Sequence, residues 1–324
     1  MQILTRSVLV LAALLAAAPP DLLSSPEEGP FTLAVVRRDG IMIPFATYDG
    51  RRFVNKWPEP KSNPEIPISL RDVPKEWWGR SGIPASWTFW SLDGKSRPLK
   101  VLAPVQLQVH CLTNVGLRTD YLPTAPPPPP NQHHQPKDGL ATSGTLPIER
   151  IEVLNNQQPE WNSTAPLLDF PILTAEETTI SKYRNWTPLV SPEQRARTSS
   201  KLEVLCRSSG PAPGSPIYYF EAVKQYDKPL DPSQWASRNC SMMTFVGGFL
   251  RRGPDGDPRT SLWAVITDCN AREVEYLLPL GVLKLNGRTI WIVQFSGFGR
   301  DRYTLLDVTD QKAAMLVNTF GGGC

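Results

Sequence analysis

Proline restricts the folds open to this chain more than any other feature. It occurs 34 times in 324 residues. Each proline removes a backbone donor and breaks a helix interior. Such density argues for short strands, many turns and at least one loose segment. The N-terminal text from Phe31, "FTLAVVRRDGIMIPFATYDGRRFVNKW", sets two Asp-Gly pairs between apolar, β-branched runs. Asp39-Gly40 and Asp49-Gly50 can each take the positive φ angles of a tight hairpin turn. Pro44 predicts an edge or a bulge in the second strand. In "PVQLQVHC", Val105, Leu107, Val109 and Cys111 alternate with Gln106, Gln108 and His110, the period of a half-buried strand.

Strand-like runs follow one another through the last third: "KLEVLCR", "PIYYFEAVKQY", "MMTFVGGFL", "SLWAVITDC", "VEYLLPLGVLKL", "RTIWIVQFSG" and "RYTLLDV". Asn286-Gly287 is the strongest hairpin signal. Beyond it, Trp291, Val293 and Phe295 share one face, with Ile292 and Gln294 on the other. The expected fold class is mainly β: antiparallel sheets, as a sandwich or partly open barrel, with a few short helices. Two helix starts stand out. Thr174 with Glu177 makes a capping-box pattern, and Ser191 precedes Pro192 and Gln194 as an N-cap.

Residues 122–148 offer little to bury. Their five consecutive prolines form a stiff spacer of ~3.1 Å per residue. The expected organisation is an N-terminal β module at 30–121, a Pro-rich linker or loop at 122–148, and a C-terminal β-rich domain at 149–324. A long surface loop inside one sheet domain gives the same text. His133 and His134 lie in this segment without a third or fourth metal ligand nearby, so it reads as a spacer and no metal is expected.

Residues 1–18 resemble a secretory signal peptide: Arg6 supplies positive charge, and an apolar run from Ser7 ends in small residues at Ala16 and Ala18. The run is short for a membrane span, which takes ~20 apolar residues. Pro19 suits a cleavage site poorly, so cleavage one residue earlier and retention as an anchor are both open. A periplasmic or secreted location is expected. Cys111, Cys206, Cys240, Cys269 and Cys324 are widely spaced with no C-x-x-C pair, which speaks against zinc. In an oxidising compartment they are disulfide candidates. Cys269 with Cys324 is the favoured pairing, because Gly321-Gly322-Gly323 would let the chain end reach back.

The net charge of +3 gives no footprint of a nucleic-acid partner. The sequence contains no G-x-S-x-G, H-E-x-x-H, phosphate-loop or dinucleotide signature. His110 and Cys111, adjacent on a strand, point to opposite faces and cannot form a nucleophile–base pair. No catalytic residue and no cofactor are expected. Trp77, Trp78, Trp87 and Trp90 crowd into "EWWGRSGIPASWTFW". Exposed indoles of this kind stack on sugar rings, and buried ones fill a core.

At "RRDGIMIPFATYDG", "YYFEAVKQY", "WIVQFSGFGRDRYTLLDV" and the terminal "GGGC", the sequence resembles exported bacterial proteins with no assigned activity. The resemblance implies export and a β-rich fold, and it carries over no catalytic residue. The expected function is that of an exported, non-catalytic, envelope-associated interaction or ligand-binding protein. A secreted glycan-acting hydrolase with a carboxylate pair and a passive structural subunit of an envelope assembly are the alternatives. The partner would be an envelope protein or a glycan, with membrane contact only through an uncleaved N-terminal segment.

Overall fold

The computed structural model describes residues 29–58, 73, 86–109, 111–126, 137–144, 146–182, 190–211, 214–226, 242–252, 257–268, 271–309 and 312–323. The fold class is mainly β. Strands β1 (Phe31–Arg37), β2 (Ile41–Tyr48), β4 (Ser86–Ser91), β5 (Ser96–Val109), β6 (Leu112–Thr119) and β7 (Lys137–Ser143) follow the order β1-β7-β4-β5-β6-β2. Pairing of β1 with β2 closes this sheet into a barrel, and β3 (Phe53–Val54) hangs from β2. Each of the six staves thus has a paired neighbour on both sides, β2 meeting β6 only at Ile41 and Met42.

The predicted turns build it. Gly40 has φ 79° and donates its N–H to the Arg37 carbonyl at 3.0 Å. Gly50 has φ 97°, and Asp49 Oδ1 accepts the N–H groups of Arg51 and Arg52 at 2.9 Å. The β1–β2 register shifts where Ala34 faces Pro44, a bulge at the proline. In β5, Leu107 and Val109 are buried while Gln106 and Gln108 are exposed. Cys111 lies past the strand end and is exposed; His110, His133 and His134 lie outside the described residues.

A middle sheet has the order β17-β16-β15-β14-β8, from β8 (Ile148–Glu149), β14 (Glu275–Leu285), β15 (Arg288–Gly297), β16 (Arg300–Val308) and β17 (Ala313–Gly323). Asn286 (φ 50°) and Gly287 (φ 72°) make the turn between β14 and β15. An outer sheet has the order β13-β12-β11-β10-β9, from β9 (Glu152–Leu154), β10 (Lys201–Ser208), β11 (Ile217–Gln225), β12 (Met242–Arg252) and β13 (Pro258–Asp268). The middle sheet buries both faces. Ile290, Ile292 and Leu305 pack on the barrel, while Trp291, Val293, Phe295 and Leu306 meet Tyr219 and Phe249 of the outer sheet. This two-sided burial follows from the alternation read beyond Asn286-Gly287.

The far side of the outer sheet is covered by α1 (Pro159–Thr164), a 3-10 turn at Ala165–Leu167 and α2 (Asp169–Ser181), followed by α3 (Pro192–Arg197). Ser191 caps α3, its Oγ accepting the Gln194 N–H at 3.2 Å. Thr174 does not start a helix. It lies inside α2 and donates its hydroxyl to the Phe170 carbonyl at 3.1 Å. Leu168 and Ile172, fully buried against Leu205, Phe220 and Val246, set the helix earlier than its capping pattern does.

Two further expectations are corrected. Residues 137–143, assigned by composition to the 122–148 connector, form β7 between β1 and β4. "KDGLATS" looked unburiable because its residues are small, and smallness is what the site requires. A Cβ on Gly139 would come within 2.0 Å of the Trp90 carbonyl oxygen. Both ends of the Pro-rich segment thus belong to one barrel. The Gly321–Gly323 run is likewise no loose tether. It is buried in β17, with Gly322 at φ 144°, where a Cβ would lie 2.5 Å from Val109 Cγ1. Among the described residues, no helix is long and apolar enough to cross a membrane.

Candidate functional site

The chain leaves the barrel through β8 in the middle sheet and enters the outer sheet at β9, so Arg150 and Ile151 step from one layer to the next. β8 pairs only with Val282 and Leu283, leaving the earlier part of β14 uncovered on that side. There β14 also loses register between Pro279 and Gly281. A bulge bends the strand and re-aims its side chains. These three departures from regular pairing open a pocket of about 360 Å³. Its apolar wall is Leu92, Ile151, Val153 and Leu278 to Leu280; its polar groups are Lys137, Arg150 and Gln294.

Gln294 is fully buried, and neither atom of its amide has a hydrogen-bond partner among the described residues. Leaving such a group unmade costs about 1–3 kcal/mol, so its position demands an explanation. Opposite it on β16 sits Tyr303, also buried, with its hydroxyl unpartnered among the described residues. Burial and the nearby Asp301 charge hold that phenol neutral, its pKa far above the ordinary range.

Lys137 enters from the barrel at the start of β7. Its Nζ is 3.6 Å from Asp301 Oδ2 and lies over the Tyr303 ring at 5.7 Å. Burial pulls the Lys137 pKa down to about 8 against the opposing pull of Asp301. Arg37, buried beside it in the β1–β7 register, binds Asp39 through Nε at 3.1 Å and Nη2 at 2.6 Å. Ser296 donates to Asp301 at 2.8 Å. The barrel–sheet junction is therefore aliphatic at one end and a charge-balanced polar cluster at the other. A few fixed polar groups in an apolar wall suit recognition of a small molecule. No described residue of the pocket pairs a nucleophile with a base.

The residues singled out from sequence fall elsewhere. Trp87 is 1% exposed inside the barrel. Trp90 is half-buried and donates its Nε1–H to Thr142 Oγ1 at 3.3 Å. Trp87 is barrel core and Trp90 packs partly against it; Trp77 and Trp78 lie outside the described residues. Cys206 is a buried free thiol. Cys111 is disulfide-bonded; Cys240, Cys269 and Cys324 lie outside the described residues. Among the described residues, no cluster of His, Cys, Asp and Glu could hold a metal.

A second hollow of about 320 Å³ between the sheets brings Trp263 beside Glu273 and Glu275. It places carboxylates and an indole together, as a glycan hydrolase requires. Glu275, however, is gripped by Arg302 Nε at 2.8 Å and Arg300 Nε at 2.9 Å. Both of its oxygens are thereby occupied by guanidinium groups and not turned to the open hollow.

Gln294 had been assigned only to a strand face. The signal for more was an amide placed where Ile290 and Ile292 set an apolar stripe. No protein family, curated protein or solved structure matches this chain.

Proposed function

We propose that this is an exported, non-catalytic ligand-binding protein of the cell envelope, periplasmic or secreted, which holds a small molecule in the pocket where barrel, middle sheet and outer sheet meet. The observation that carries this reading is Gln294: a wholly buried amide lining the pocket with both of its hydrogen-bonding atoms unused among the described residues. An apolar core position would be filled by another isoleucine, whereas a bound polar group would satisfy the amide. The signal-peptide-like residues 1–18 support export, and the oxidised Cys111 fits an oxidising compartment.

The test is a thermal-shift screen of small metabolites on the native protein and on Val153→Trp. Val153 is 61% exposed at the pocket rim, so an indole there fills the pocket without disturbing the core. Ligands that raise Tm in the native protein and not in Val153→Trp are expected. The proposal fails if no compound shifts Tm, if shifts survive the tryptophan, or if turnover appears that one carboxylate or histidine substitution abolishes.

A further inference from the structure

Among the described residues, the pocket lining contains two cations, Lys137 and Arg150, and no carboxylate. Lys137 is balanced by Asp301, and Arg37 by Asp39. Arg150 is exposed and makes no ion pair among the described residues, so it is the uncompensated charge at the mouth. Fixed positive charge beside an apolar wall favours an anionic ligand with an apolar body. Gln294 narrows the class. Its Nε2 can donate to a carboxylate oxygen, and its Oε1 then faces a position that must supply a donor.

We infer that the ligand is a small carboxylate with an apolar body and a hydroxyl or amide N–H beside the carboxylate, as in a 2-hydroxy acid or an N-acyl amino acid. The inference rests on the pocket being the binding site. The carboxylate lies between Lys137, Arg150 and the Gln294 amide. Its neighbouring donor meets Gln294 Oε1, and its chain runs along Ile151, Leu278 and Leu280.

Calorimetry at pH 7 with 2-hydroxyoctanoate, octanoate, 1-octanol and octylamine on the full-length protein tests this. The two acids are expected to bind, the hydroxy acid more tightly. The alcohol is expected to be about tenfold or more weaker, the loss of one charge-assisted contact, and the amine not to bind. Arg150→Glu, at an exposed position that leaves the fold intact, should weaken acid binding by about tenfold or more and leave the alcohol unchanged. Equal binding of acid, alcohol and amine, all lost in Val153→Trp, overturns the carboxylate inference and leaves the pocket standing as the site. Acid binding that persists in Val153→Trp overturns both. Absence of binding by every probe overturns the inference alone, since the metabolite screen still decides the pocket.

Discussion

Glu221 Oε1 accepts the backbone N–H of Leu277 at 2.7 Å, so a side chain of the outer sheet holds the main chain of the middle one. The same oxygen takes the Tyr219 hydroxyl at 2.7 Å. The bond falls on the stretch of β14 that β8 leaves uncovered. Two residues on, at the same edge, Pro279 has no N–H to satisfy. An open strand edge inside the molecule is thus settled by one carboxylate and one proline.

Burial raises the pKa of Glu221, with the Leu277 and Tyr219 hydrogen bonds opposing the shift. The folded protein therefore holds that proton more firmly than the unfolded chain, and stability falls as pH rises through the carboxyl range. Glu221→Gln should keep the acceptor, remove that slope and leave stability at pH 7 equal or higher. Glu221→Leu should cost about 1–3 kcal/mol for each donor stranded. Urea denaturation of both variants across pH checks this.

Lys137 gives the opposite slope. Its folded pKa of about 8 lies below the ordinary 10.5, so the unfolded chain binds more protons between those values. Stability should rise from pH 8 to about 10, by at most about 1.4 kcal/mol per pH unit. Among the described residues, the groups facing Lys137 include Asp301, Arg37, Asp39 and Tyr303. The double variant Lys137→Met, Asp301→Asn removes the pair together and should flatten the curve; an unchanged curve would refute the assignment.

Gly139→Ala should destabilise the barrel by about 3 kcal/mol or more, since the new methyl meets backbone and not a movable side chain. A chemical-denaturation midpoint within error of wild type would show that β7 does not sit between β1 and β4.

Peptide mapping of the unreduced protein should join Cys111 to Cys324, in place of the Cys269–Cys324 pairing expected from sequence. Asn114 Nδ2 donates to the Gly321 carbonyl at 3.1 Å, and Gly322 packs on Val109, two residues before Cys111. A Cys111–Cys240 or Cys111–Cys269 peptide would refute it. Cys206, buried and with its thiol pushed up to about 12 by desolvation, should resist alkylation until the protein unfolds.

Hairpins and strand faces were legible because local chemistry fixes them: Gly40 and Asn286-Gly287 dictate their turns, and the alternation at Trp291 and Ile292 dictates two buried faces. β7 was hidden because small residues carry no hydrophobic pattern, and the need for them lies in Trp90, far away in sequence. β17 was hidden for the same reason at its glycines. The site was the least legible part. Lys137, Arg150 and Gln294 come from separate strands and connections, and only the layering of barrel on sheet makes them neighbours. Thr174 shows the converse, a correct local motif overruled by the apolar anchors Leu168 and Ile172.

The late arrival of β7 sets the order of events during biosynthesis. Without residues 137–143 neither β1 nor β4 has the partner that joins them, so the ring of six strands cannot close. Completion waits for residues 137–143 to emerge and slot in.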